Sequence, residues 1–384
     1  MLSIKSWVQS LANNFIAKFD STSQKLFLMF LLAGISYGAT GLGAMLLMTL
    51  LSNSQLGKDA SSKHGISARE SSRLGGLAVA IVLLLYTLGF SLISPYTPGP
   101  IRDDAFLYLW CAIFFCGALG FAEDVKPDFL TPTLRLVAKF LVMAALFWLA
   151  PKFIPSSVGI SVIDALIALP VIGWALVTVF AVGFINALNM ADGANGLVPG
   201  IAVASFGVFF MEYGRPMDGA LLFAFTVFLI FNVISGWYFL GDAGSYGLGA
   251  ILLGYGLLGV AEGQFSAGFM AALYGYPCID FLVSVIRRRR AGRSPFSADN
   301  GHLHNRLHQF IRRRVSSPVL ANSLTGLAVS GSTAGLVLVV YLLDVLPPNS
   351  GLWALVFAFE VALYLAILGY LTSIQPKTQY ADPL

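Results

Sequence analysis

The sequence predicts an all-α polytopic membrane protein, a helix bundle with about eleven transmembrane helices. Three observations predict it. Only 11% of the 384 residues are charged, against about 25% in a typical soluble domain. Apolar residues make up 57% and mean hydropathy is +0.79, more apolar surface than a soluble fold of this length can hide. The apolar residues fall in long runs without the ten-residue alternation of a membrane barrel, so backbone groups must be satisfied within helices.

At the N-terminus, Ile4, Trp7, Val8, Leu11, Phe15, Ile16 and Phe19 recur at helical spacing. The pattern predicts an amphipathic surface segment over 1–24. The first long run, about 26–51, exceeds a signal-peptide core and lacks a small-x-small cleavage site, so it is expected to be a retained span. Ten more spans are expected at roughly 74–94, 105–122, 134–150, 166–190, 196–211, 218–239, 244–261, 266–286, 319–343 and 351–374. They form one transmembrane domain over 25–375, with a cytoplasmic loop at 287–318 and a C-terminal tail at 376–384. Gly34-Ile-Ser-Tyr-Gly38 suits close helix packing in lipid. Cys111, Cys116 and Cys278 lie in apolar runs without metal-ligand spacing and read as packing residues.

Charge placement gives the expected orientation. The connections after the odd-numbered spans, with the C-terminus, hold sixteen of the 23 Lys and Arg residues. The opposite side holds six, and Lys139 lies inside the fourth span. The odd connections are therefore expected in the cytoplasm and the N-terminus outside.

Those same connections carry the polar stretches: Lys63–Gly76, Glu123–Asp128, Asn186–Leu197, Gly241–Ser245 and Arg287–Arg314. Residues far apart in sequence would then meet on one membrane face. Glu123 and Asp124 end the third span, where adjacent carboxylates can bind a divalent cation or supply a base; a solvated helix end is the plainer alternative. Asn186, Asn189 and Asp192 recur every three residues near the end of the fifth span. Such groups are costly there unless they meet a ligand, an ion or one another. Asp242 sits between two spans with almost no loop, placed either to hold Mg²⁺ or to cap a helix. Arg135 and Lys139 lie one helical turn apart and can hold a phosphate, although Lys139 can also snorkel.

The arginine run Arg287–Arg290 is ordinarily a topology signal or an anionic-lipid contact. Here it frames His302 and His304, which can bind phosphate or assist proton transfer. A zinc site from His302, His304 and His308 lacks a nearby carboxylate or Cys, and the basic stretch is too short and too close to the bilayer for nucleic acid. Asp280 and Glu360 are intramembrane acids. Asp280 lies near the same end as the clusters, whereas Glu360 has no assigned role.

Together the stretches resemble the polyprenyl-phosphate N-acetylhexosamine-1-phosphate transferases, relatives of phospho-N-acetylmuramoyl-pentapeptide transferase. The resemblance covers about residues 63–308 and rests on five motifs in order. They are Arg73-Leu-Gly-Gly76, the acidic pair, Asn189-Met-Ala-Asp-Gly-Ala-Asn-Gly-Leu197, Phe239-Leu-Gly-Asp-Ala-Gly-Ser245, and Ser294-Pro-Phe-Ser with His302-Leu-His304.

The resemblance implies transfer of sugar 1-phosphate from a UDP-N-acetylhexosamine, UDP-N-acetylglucosamine first, to undecaprenyl phosphate with release of UMP. It further implies Mg²⁺, or Mn²⁺ in its place, on Asp242, and catalytic roles for Glu123, Asp124, Asp192, His302 and His304. Lys63, Arg73, Arg135, Lys139, Asn186, Asn189, Asn195, Asn305 and Arg306 are the expected substrate-binding residues. Expected partners are the polyprenyl phosphate, the UDP-sugar and membrane lipids, with a homodimer compatible and no nucleic acid; the expected location is the bacterial inner membrane. Three positions depart from the family pattern: Glu123 replaces the first aspartate, Asn195 a second aspartate, and Asn305 a further histidine. The rival class is a transporter using intramembrane acids as ion sites, which needs charges reachable from both faces. A metallopeptidase is disfavoured because no His-Glu-x-x-His is present.

Overall fold

The computed structural model describes residues 21–53, 58–59, 71–93, 104–127, 129–294 and 300–374. The surface segment expected over 1–24 lies almost wholly outside these residues, as do Lys63 and the tail 376–384. The fold is all-α. Its helices are α1 (Thr22–Ser52), α2 (Gly75–Ile93), α3 (Asp104–Val125), α4 (Pro132–Leu149), α5 (Ser161–Ile167), α6 (Pro170–Ala191), α7 (Leu197–Tyr213) and α8 (Pro216–Ser235). They continue with α9 (Gly241–Ala261), α10 (Ala267–Leu273), α11 (Gly275–Arg290), α12 (Leu303–Arg312), α13 (Pro318–Ser330), α14 (Leu336–Leu342) and α15 (Trp353–Ile374). The described strands are the two-residue β1 (Lys58–Asp59) and β2 (Ser71–Ser72), paired antiparallel.

All eleven expected spans are helical. Among the described residues, eight helices are long and apolar enough to cross a bilayer, with α13 and α14 joined as one across a π turn, and α10 with α11 makes a ninth bent by 79°. The apolar helices Gly75–Gly89 and α7 are shorter. The protein is therefore a polytopic membrane protein.

Local sequence sets the helix starts. Pro132, Pro170, Pro216 and Pro318 each occupy the first turn, where the missing N–H is not needed. Thr131, Ser266 and Ser317 accept a backbone N–H from Leu134, Phe269 and Leu320. Each cap satisfies one orphan donor of the first turn.

Three differences from the expected boundaries have local causes. The span expected at 166–190 begins after Leu169, because Pro170 opens a new helix and leaves α5 separate. The span at 266–286 breaks at Tyr274, where α10 ends and α11 turns away. The stretch 287–318 is not simply a loop: α11 carries its helix through Arg290, and α12 is a further helix beyond the spans.

The core is centred on α9, most of whose apolar stretch is buried. It packs against α2, α3 and α6. Between α8 and α9 the chain pairs with the segment before α2: Ser72 N–H donates to Trp237 O (2.9 Å), Phe239 N–H to Ser72 O (3.0 Å) and Gly76 N–H to Leu240 O (2.8 Å). These bonds tie Arg73-Leu-Gly-Gly76 to the residues just before Asp242.

Candidate active site

The site forms where α3 and α6 end and where α4 and α9 begin. Alternate helix connections place these termini together. Glu123 and Asp124 lie in the last turn of α3, Asp192 follows α6, and Asp242 is in the first turn of α9.

Asp124 is 2% exposed. Its Oδ1 accepts from Asp242 N–H (2.9 Å) and its Oδ2 from Ala243 N–H (2.8 Å). Asp192 Oδ2 accepts from Gly241 N–H (3.1 Å). Two carboxylates from two other helices thus cap the start of α9, where orphan N–H groups and the helix dipole favour negative charge. The close approach dictates glycine at 241. Its φ is +73°, and an added Cβ would lie 2.0 Å from Arg73 O and 2.7 Å from Asp124 Oδ2.

Cations complete the cluster. Arg135 Nη1 lies 3.2 Å from Glu123 Oε1 and 3.7 Å from Asp242 Oδ2. Lys139, 1% exposed, donates from Nζ to Asn186 Oδ1 (2.5 Å) and sits 3.8 Å above the Tyr246 ring. Asn189 Oδ1 accepts from Ser245 Oγ (3.1 Å). Arg73, Arg135 and Lys139 are the cations in the field of Asp242. Burial pushes the Asp192 carboxyl well above its ordinary range, against the Gly241 N–H bond and with the aid of the Asp124 and Asp242 charges. Part of the Asp192 residue reaches the surface, but its carboxyl is enclosed by protein. A divalent cation beside Asp242 would reverse that preference.

Among the described residues, no group of three His, Cys, Asp or Glu side chains is arranged to hold a metal. The oxygen donors at Asp242 fit a hard cation that completes its shell with substrate oxygens and water.

The histidines join the site from the start of α12, each held by a partner on α11. His302 Nδ1 meets Asp280 Oδ2 at 2.5 Å, and His304 Nδ1 meets the Tyr276 hydroxyl at 2.7 Å. His304 Nε2 abuts Gly193, where an added Cβ would lie 2.8 Å away. Glycine at 193 therefore lets the Asp192 turn and the histidine segment close together. Burial lowers the His304 imidazole to about 4, so it is neutral at physiological pH.

Asn195 and Asn305 bond to other groups. Asn195 is buried among α7, α8 and α13: its N–H donates to Asn322 Oδ1 (2.9 Å), and its amide meets Ser323 Oγ (3.4 Å) and Asn232 (3.5 Å). Its partners are protein groups that join helices. Asn305 Nδ2 donates to Asn300 O (3.4 Å). Arg306 is buried on α12 beside the histidines in sequence. Sequence reasoning missed Asn232, Tyr246, Tyr276 and Tyr364. Asn232 Oδ1 accepts from Gly196 N–H (2.6 Å) while its Nδ2 donates to Tyr238 O (2.7 Å), tying two of the motifs together. The available signal was polar groups within or at the ends of apolar helices.

Known proteins are similar to this chain in sequence. A profile for glycosyl transferase family 4 matches residues 106–260. A phospho-N-acetylmuramoyl-pentapeptide-transferase of Halalkalibacterium halodurans is 27% identical over 258 residues, 63% of this chain and 77% of that protein. An undecaprenyl-phosphate alpha-N-acetylglucosaminyl 1-phosphate transferase of Thermotoga maritima is 26% identical over 257 residues, covering 66% of this chain and 72% of the relative. A decaprenyl-phosphate N-acetylglucosaminephosphotransferase of Mycolicibacterium smegmatis is 28% identical over 279 residues, 64% and 67% of the two chains.

Proposed function

Because the chain belongs to glycosyl transferase family 4, we propose that it transfers N-acetylglucosamine 1-phosphate from UDP-N-acetylglucosamine to undecaprenyl phosphate. The products are undecaprenyl-diphosphate-N-acetylglucosamine and UMP, and the role is the first membrane step of a cell-surface polysaccharide. The observation that carries the reading is the convergence of Asp124 and Asp192 on the first turn of α9, which fixes Asp242 beside Arg135.

A lipid phosphate oxygen attacks the sugar-linked phosphorus. One P–O bond forms, the bond to the UMP phosphate breaks, and UMP leaves with that electron pair. Two anionic phosphates repel, so positive charge at the reacting oxygens lowers the barrier. Arg135 and Lys139 supply it from one wall, held by Glu123 and Asn186. Asp242 is the residue that would hold Mg²⁺, whose chemistry when bound is to neutralise phosphate charge. Asp124 acts by fixing Asp242, since both its oxygens are engaged by the α9 backbone. Glu123, with one oxygen on Arg135 and the other on Leu130 N–H, orients the cation. Asn189 and Asp192 match the nucleotide and phosphate region of the family resembled, and His304 Nε2 abuts Gly193 of the same turn. The site faces the cytoplasm, where the excess of Lys and Arg lies in sequence.

The transporter reading needs ion-binding acids accessible from both faces. The carboxylates here gather at one end of the helices, which favours the transferase. The test incubates purified protein with undecaprenyl phosphate, Mg²⁺ and a panel of UDP-sugars while UMP is measured. UMP release with UDP-N-acetylglucosamine, lost in Asp242→Ala, is expected. Absence of UMP with every sugar, with Asp242→Ala indistinguishable from wild type, refutes the proposal.

A further inference from the structure

Two histidines two residues apart are held by chemically different partners. We infer that Tyr276 and Asp280 are positioning residues that set opposite proton placements on them, so that neutral His304 offers a donor at Nε2 and neutral His302 offers an acceptor at Nε2. The placement itself rests on the geometry below; its catalytic meaning rests on the transferase reading above.

Tyr276 and Asp280 lie one turn apart on α11 and so share a helix face. The Asp280 carboxylate is buried and receives three donors: His302 Nδ1 (2.5 Å), Leu303 N–H (3.1 Å) and the Tyr364 hydroxyl (2.7 Å). An ionised carboxylate only accepts, so His302 must carry a proton on Nδ1, and its neutral form leaves the Nε2 lone pair open. Tyr364 and the Leu303 N–H fix the carboxylate, leaving Oδ2 aimed at the ring.

At His304 the partner is a hydroxyl with one proton to give. The Tyr276 oxygen already accepts the His304 backbone N–H at 3.1 Å. Of the two acceptors beside it, Asp280 and His304 Nδ1, its own proton is assigned to the 2.7 Å contact with His304 Nδ1, because the Asp280 oxygens already have three donors. With Nδ1 accepting, the neutral ring keeps its proton on Nε2, the atom that abuts Gly193. The rings are nearly parallel, 16° between planes and 5.4 Å between centroids. The pair thus presents one donor and one acceptor to a single substrate region. A donor beside the Asp192–Gly193 turn suits a phosphoryl oxygen, and an acceptor suits a sugar hydroxyl or acetamido N–H.

The experiment records imidazole nitrogen resonances of the full-length protein, labelled with ¹⁵N-histidine, in lipid nanodiscs at about pH 8, above the unperturbed histidine range. His302→Gln and His304→Gln assign the signals. The expected result is a protonated Nε2 with a bare Nδ1 for His304, and the reverse for His302. Tyr276→Phe should shift the His304 pattern and spare His302, whereas Tyr364→Phe should leave the His304 pattern in place. In turnover, Tyr276→Phe should lower kcat about tenfold or more, with KM for the UDP-sugar changed less than about threefold. The same tautomer on both rings, or an imidazolium at His302, overturns the inference, and the wild-type spectrum decides this even if a variant fails to fold. Missing UMP release with the expected tautomers would instead count against the transferase reading alone.

Discussion

Asp124→Asn tests whether the acidic pair builds the site or performs the chemistry. The substitution keeps the shape of the side chain but replaces one acceptor oxygen with an NH₂ group. In the native arrangement both oxygens accept backbone N–H groups, at 2.9 Å from Asp242 and 2.8 Å from Ala243. Asparagine can satisfy only one and points a donor at the other, in a place 2% exposed. Losing a hydrogen bond to a buried charged acceptor costs about 1.5–3 kcal/mol. The lost charge at the helix N-terminus adds up to about 2 kcal/mol. The sum, about 2–5 kcal/mol, corresponds to a fall in kcat of about thirtyfold to several thousandfold if it is expressed as displacement of Asp242. The assay pairs UMP release with thermal unfolding in detergent. Both should fall together. An Asn variant that loses activity but unfolds at the wild-type temperature would refute the capping argument and return Asp124 to the role of a base.

Gly241→Ala should abolish most activity, because its Cβ meets backbone and the residue has a positive φ; the left-handed conformation alone costs about 1–2 kcal/mol, and UMP release near the wild-type rate would contradict the packing described. Folding stability should fall with acidification between about pH 6.5 and about 4, because the unfolded chain protonates His304 in that window while the folded one holds it neutral; the slope is at most one proton, about 1.4 kcal/mol per pH unit, and His304→Gln should flatten it in a pH series of unfolding curves. EDTA should stop UMP release and added Mg²⁺ should restore it, and full turnover after chelation would remove the proposed metal from Asp242.

Much of the fold was legible in sequence because lipid imposes a simple demand. Each span must be a long apolar helix with its own hydrogen bonds satisfied, and all eleven expected segments are helical. The breaks were less legible. Pro170 splits off α5 through a local effect that the apolar run conceals, and the 79° bend at Tyr274 leaves no gap in hydropathy. The candidate site was legible at the level of which motifs meet. Parity along the chain anticipated that Asp124, Asp192, Asp242 and His304 would gather. It could not anticipate that Asn195 would be spent on Asn232, Asn322 and Ser323, because a motif match does not report which side of a turn a side chain takes.

The sequence by itself determined the solvent this protein lives in, the order of its apolar segments, and the end of the bundle at which its chemistry-bearing residues collect. Those properties follow from composition and from the alternation of chain direction, which are additive along the chain. The tertiary structure decided what each residue does there. Asp124 became a cap, Asp280 and Tyr276 became partners of different histidines, and Gly241 and Gly193 became points of contact. Such roles depend on where the ends of separate helices cross, at separations of a few ångströms, and no periodicity within one helix encodes that crossing.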